Sequence, residues 1–232
     1  YNDLSLVGKV NAIVINDEIV ESAKEGDKIA IVLNQTTFYP EGGGQAGDCG
    51  ILSNDSVTIE ITDTRKGANN TIKHIGFVKS GEVKVNDELI TLVNKDVRMA
   101  SARNHTATHL LHKVLKEVLG EHVNQAGSLV NAERLRFDVT HFEAISKDEL
   151  RLIEEKVNDA ILASLEINCE NMGINEAKEK GATALFGEKY GMEVRVVSMG
   201  DFSIELCGGT HLKNTSQVGM FKILSEGGVA AG

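Results

Sequence analysis

Glu88-Leu-Ile-Thr-Leu-Val93 and Arg98-Met-Ala-Ser-Ala-Arg-Asn-His-Thr-Ala-Thr-His-Leu-Leu-His-Lys-Val-Leu-Lys-Glu-Val-Leu119 stand almost back to back and obey different rules. The first is short and rich in Ile, Thr and Val, which suit a pleated surface, and it reads as a strand. In the second, Leu110, Leu111, Val114, Leu115 and Val118 recur at three- and four-residue steps, the mark of an amphipathic helix, and Gly120 follows as a stop. The change of period places a domain boundary near residue 95.

Upstream of it the sequence reads as β. Gly8–Ile15, Lys28–Leu33, Val57–Ile61, Ile72–Val78 and Glu88–Val93 are expected strands. Glu25-Gly-Asp27, Lys66-Gly-Ala-Asn-Asn70 and Ser80-Gly81 are expected turns. Short strands at this spacing suit a small barrel or sandwich. Downstream the chain is mixed. Val123–Val130 and Arg134–Val139 read as strands, and Ser146-Lys-Asp-Glu149 as a capping box opening a helix to about Leu165. Ile167–Met172 reads as a strand and Asn175–Gly181 as a short helix, before paired strands at Val194–Met199 and Phe202–Leu206. The expected class is α+β. Residues 1–94 form a small β-barrel domain, and residues 95–232 an α/β domain with an antiparallel sheet and a long helix.

The chain has 232 residues, 41% hydrophobic and 25% charged, which suits one large or two small folded domains and excludes a disordered tail or a coiled-coil rod. No apolar run approaches membrane-spanning length, and no leader pattern follows Tyr1. Both ends read as cut, so a piece of a longer protein is expected. Three scattered cysteines, Cys49, Cys169 and Cys207, point to a reducing, cytoplasmic setting. The net charge of -10 argues against a general nucleic-acid binder. Residues 95–141, however, carry seven positive and five negative side chains, while both flanks are acidic.

That basic segment contains His105-Thr-Ala-Thr-His109. An i,i+4 pair projects from one helix face, one turn apart, so two imidazoles there can share an ion. Cys207-Gly-Gly-Thr-His211 repeats the spacing after a strand, with glycines that let the chain turn. Three imidazoles and one thiolate make a natural zinc set. The expectation is one Zn2+ per chain, held by His105, His109, Cys207 and His211. His112 lies near the same face but reads as an ordinary helix histidine; His74, His122 and His141 show no pairing pattern. Cys49 and Cys169 have no partner at ligand spacing.

Two further stretches bear on binding. Phe38-Tyr-Pro-Glu-Gly-Gly-Gly-Gln-Ala-Gly-Asp48 contains the only proline. Its glycines, Gly42, Gly43 and Gly44, could turn backbone N–H groups toward an anion. It lacks a Walker lysine and the dinucleotide spacing, which argues against those nucleotide modes. In Asn124-Gln-Ala-Gly-Ser-Leu-Val-Asn131 and Arg134-Leu-Arg-Phe-Asp138, Gln125 could orient a small polar ligand, and Arg134 or Arg136 could touch phosphate.

These four motifs, in this order, resemble the editing domain of alanyl-tRNA synthetase with its preceding glycine-motif β domain. The wording from Gly127 to Asp138 resembles the bacterial full-length enzymes. Freestanding alanyl-tRNA editing proteins share the architecture, and threonyl-tRNA synthetase editing domains are similar to the second half. One departure is Pro40-Glu-Gly-Gly-Gly44, where full-length bacterial enzymes often have Ala-Glu-Ser-Gly-Gly; the freestanding proteins also use the form found here. No class II aminoacylation motif is found. The resemblance therefore implies removal of wrong amino acids, not activation of alanine.

What it implies in detail is hydrolysis of the ester in Ser-tRNA(Ala) and Gly-tRNA(Ala), proofreading in translation by a zinc-dependent deacylase. The parent is an ATP-binding ligase. The implied partner is the acceptor end of tRNA(Ala), met by the segment 95–141 and the glycine loop, with Gly42, Gly43, Gly44, Gln45, Arg103, Arg134 and Arg136 as contacts. No membrane is involved, and any oligomer of the parent would form through regions absent here. Thr108 and Gln125 are the groups expected to sense the serine hydroxyl. Four protein ligands would close a zinc tetrahedron, so a catalytic role needs a further position or a ligand that yields. Cys207 as a covalent nucleophile is the lesser route, because a metal-bound thiolate attacks poorly. Two other classes fit the same residues: a metal-stabilised tRNA-binding module without catalysis, and a zinc hydrolase of small esters.

Overall fold

The computed structural model describes residues 3–183 and 191–228. The chain divides into two compact units, Tyr1–Met99 and Ala100–Gly232. The division falls inside the long helix. The helix's opening belongs to the first unit because Asn94 N–H donates to Cys49 O and the Arg98 guanidinium is tied to Asp48 and Thr37.

The first unit is a closed antiparallel barrel. Its strands are β1 (Ser5–Ile15), β2 (Glu18–Val20), β3 (Ser22–Lys24), β4 (Lys28–Leu33), β5 (Gly50–Ser53), β6 (Val57–Lys66), β7 (Ile72–Lys84) and β8 (Glu88–Val93). Six of them run in the order β1-β4-β7-β6-β5-β8, and β8 pairs back onto β1. Closure leaves no unpaired edge around the ring. β2 extends the far end of β1, and β3 pairs with β7. Period two fills the interior: Ile29, Ile31 and Leu33 of β4, Val57, Ile59 and Ile61 of β6, and Leu89 and Val93 of β8 are all buried. Irregular register in β1 and β6 adds the bends that a small ring requires.

The expected strands are all present, several of them longer than read. Three were not read: β2, β3 and β5. They are three or four residues long, too short for a period to show, and each is defined by its partner.

Helix α1 (Lys95–Leu119) leads into the second unit. A hairpin of β9 (Gln125–Val130) and β10 (Leu135–Val139) follows, then α2 (Lys147–Leu162). The capping box is formed: Ser146 Oγ accepts from Glu149 N–H, and the Glu149 carboxylate accepts from Ser146 N–H. β11 (Ile167–Gly173), α3 (Ile174–Glu179), β12 (Glu193–Met199) and β13 (Ser203–Leu206) complete the unit. Its three-stranded sheet runs β11-β12-β13, antiparallel throughout. Met172, Ala177, Val194, Val196 and Leu206 form an apolar cluster there. The ends of α1 and α2 differ from expectation by three residues each, the scatter usual at frayed termini. Among the described residues, no helix is long and apolar enough to cross a membrane.

Candidate metal centre

Helix α1 brings His105 and His109 to one face, and the chain leaving β13 brings Cys207 and His211 to them. One ligating atom from each residue lies within 4.8 Å of all the others. Cys207 Sγ is 3.4 Å from His105 Nε2 and 3.3 Å from His211 Nε2. Neighbouring sulfur and nitrogen donors of a tetrahedral zinc, at about 2.3 and 2.0 Å from the ion, stand about 3.5 Å apart. The donor chemistry and the two Cys207 separations therefore fit such an ion.

The loop after β13 is held from outside. Cys207 N–H donates to Arg195 O, continuing the β12–β13 ladder. The Arg195 guanidinium returns to the same loop, donating to Cys207 O at 3.0 Å and Gly209 O at 2.6 Å. Gly209 N–H points at Cys207 Sγ, 3.4 Å away. These restraints let two small glycines make the turn without leaving it loose.

Behind the ligand atoms stands a second set of groups. Thr106 Oγ1 is 3.3 Å from His211 Nδ1 and also accepts from Leu212 N–H. Glu205, buried on β13, puts Oε2 at 2.8 Å from His109 Nδ1 and Oε1 at 3.0 Å from His112 Nδ1. The His112 contact is a hydrogen bond. The His109 contact is a close charge approach, with the ring N–H off the line to the oxygen.

The electrostatics follow. Burial pushes the Cys207 thiol up, but the facing imidazoles of His105, His211 and His109 outweigh it and hold the group well below an ordinary thiol. Burial works against a charge on His109, yet Glu205 and Cys207 reverse that and raise it well above an ordinary histidine. His211, desolvated and facing His105, is pushed down to about 3. The Glu205 carboxyl, penalised by burial, is pulled far below the usual range by His109 and His112. The centre thus favours a thiolate and at least one neutral imidazole, the forms that ligate metal.

Sequence reasoning missed Glu205, Arg195 and Thr106, and passed over His112. A usable signal existed for Glu205. It stands two residues before Cys207 in a strand, so period two puts both on one side. A carboxylate on the buried side of a strand is rarely idle.

Thr108 Oγ1 donates to Asn104 O at 2.9 Å, the back-bond of a threonine to its own helix. Gln125 is half-buried and its Nε2 donates to Ser128 Oγ. Arg103 and Arg134 are exposed; Arg136 is exposed but paired with Asp138 at 2.9 Å. In the barrel unit, Gly42 and Gln45 exchange backbone hydrogen bonds around Gly43 (φ 57°) and Gly44 (φ 79°). That is a two-residue turn with both central residues left-handed, which glycine supplies without strain. The loop is therefore a closed hairpin, not an open anion cradle at Gly42 and Gln45, whose N–H groups are spent inside it. The Gln45 side chain is fully buried.

Two family models match the chain. One is described as "tRNA synthetases class II (A)" and covers residues 1–97. The other is "Threonyl and Alanyl tRNA synthetase second additional domain" and covers residues 194–232, including β13, Cys207 and His211. Over its whole length the chain is 69% identical to the alanine--tRNA ligase of Clostridioides difficile strain 630. It is 53% identical to that of Alkaliphilus oremlandii strain OhILAs and 49% to that of Acetivibrio thermocellus.

The whole chain matches a segment of alanine--tRNA ligases. It spans about a quarter (26%) of the length of those ligases. Within the alanine--tRNA ligase framework, the class II model falls on the barrel unit. The second-additional-domain model falls on the part that supplies Cys207 and His211.

Proposed function

We propose that this chain hydrolyses the ester of tRNA(Ala) mischarged with serine or glycine, as a zinc-dependent editing unit. The observation that carries the reading is the convergence of His105, His109, Cys207 and His211 within 4.8 Å, in a chain with these matches. The physical need is clear. A pocket for alanine gains only about 1–3 kcal/mol against glycine, which lacks one methyl group, so a second sieve is required.

The four residues would hold the ion; when bound it supplies Lewis-acid chemistry, to a water or to the substrate's α-amino group. The chain's own residues do the remaining work. Arg195 holds the loop that carries Cys207, and Thr106 supports His211. The Gln125 amide, able both to donate and to accept, would meet the serine hydroxyl; alanine would leave it unpaired, costing roughly 1–3 kcal/mol. Thr108 would join it only by giving up its bond to Asn104. Arg103, Arg134 and Arg136, with the hairpin Gly42, Gly43 and Gly44, would meet the acceptor end.

The test is release of serine from Ser-tRNA(Ala) by the isolated chain, with and without a chelator and after zinc is restored. Loss with chelator and recovery with zinc supports the reading. Binding of tRNA without release would instead favour a metal-stabilised binding module. Equal release from a small seryl ester would favour a general esterase.

A further inference from the structure

We propose that Glu205 is the positioning residue of this centre, setting the orientation in which His109 meets a metal, with His112 balancing the same carboxylate. The inference rests on the metal reading above and deepens it. Glu205 is 7% exposed, and a buried carboxylate is costly unless paired. Its two oxygens face two imidazoles of α1, one helical turn apart, His109 at 2.8 Å and His112 at 3.0 Å. A carboxylate oxygen only accepts, so His112 carries a proton at Nδ1, and on His109 it is Nδ1 that faces Glu205. For His109 this leaves Nε2 as the nitrogen that would ligate, its proton given up when the ion binds. A carboxylate behind a ligating histidine fixes the ring and strengthens it as a donor.

His112 shares the carboxylate but is not a ligand. Its Nδ1 is occupied by Glu205, and its ring lies against Phe137 with centroids 5.4 Å apart. Among the described residues its Nε2 is buried with no hydrogen-bond partner. Its contribution is to supply the second donor, so that Oε1 is not left bare when Oε2 serves His109. The i+7 spacing from His105 and the i+3 spacing from His109 place it to do so.

The experiment uses the full chain as wild type, Glu205→Gln, Glu205→Ala and His112→Gln. Zinc affinity is read by competition with a chromophoric chelator, the cobalt(II) spectrum reports the ligand set, and the melting temperature of the metal-free protein is taken in parallel. Glu205→Gln keeps the shape and one acceptor but loses the charge. It should weaken zinc binding by about 10–100-fold, a loss larger than the accompanying fall in metal-free stability. Glu205→Ala should weaken zinc binding at least as much. His112→Gln should weaken it less than tenfold. Wild-type zinc affinity in Glu205→Gln, beside a loaded wild type, overturns this inference alone. So does a loss matched by an equal fall in metal-free stability. A wild-type chain that binds no zinc overturns the centre itself and this inference with it.

Discussion

His74 in the barrel and His109 on α1 are both buried imidazoles, and they are buried for opposite reasons. His74 Nδ1 donates to Ile31 O at 3.0 Å, and its Nε2 accepts from Thr36 Oγ1 at 2.7 Å. Both nitrogens are used by the fold, and burial pushes the group down to about 4. Another buried polar group of the barrel unit, Asp48, is equally closed: Arg98 Nε reaches it at 2.9 Å, and Arg98 Nη2 donates to both Asp48 and Thr37 O. In the second unit, the buried His105 and His109 and the half-buried His211 face one another and a thiol. A satisfied buried histidine is architecture; buried histidines that converge point to a further partner.

The largest expected effect breaks the second unit only. A His109→Ala, Cys207→Ala double variant should bind no zinc by metal analysis, and should be less stable than the loaded wild type because binding free energy is partly folding free energy. Full retention of zinc would sink the ligand assignment.

The matching blow to the barrel is Arg98→Ala. Asp48 and Arg98 are 4% and 3% exposed, and removing one partner of such a pair costs about 3–5 kcal/mol. Urea unfolding followed by circular dichroism should show it, with zinc content per folded chain unchanged. A shift below about 1 kcal/mol would mean that water reaches Asp48.

A pH titration sharpens the contrast. His74 in the unfolded chain protonates near 6.5, and in the barrel near 4. Between these values the unfolded state binds the extra proton. His74 therefore leaves stability intact above about pH 6.5 and costs increasingly as pH falls toward 4, by roughly 3 kcal/mol in all. Stability measured against pH for wild type minus His74→Gln should show this slope. Parallel curves would remove His74 as its source.

Smaller effects concern the proposed substrate. Gln125→His should slow serine release several-fold with zinc still bound, and wild-type release would take Gln125 out of the sieve. Arg134→Ala with Arg136→Ala should lower the salt slope of tRNA binding by about 1 per lost phosphate contact. Arg136 is already paired with Asp138, so the double variant should lose less than twice the Arg134 effect.

The sequence by itself determined whatever depends on neighbours within a turn or along a strand. Helical period puts His105 above His109. Strand period buries Ile29, Ile31 and Leu33. The Ser146–Glu149 capping box follows from two residues three apart, and the resemblance followed from the wording of four such local runs. Only the tertiary structure decided what lies far apart in the chain. Barrel closure pairs Ser5 with Leu92. Arg98 finds Asp48 fifty residues earlier, and Glu205 meets His112 across 93 residues. A local period states which way a side chain faces, because backbone geometry repeats. It does not state which distant group will face it, because that depends on the path of the whole chain. So the ligands could be read from their spacing, and period two put Glu205 on the Cys207 side, while its partners His109 and His112 became visible only when β13 was laid against α1.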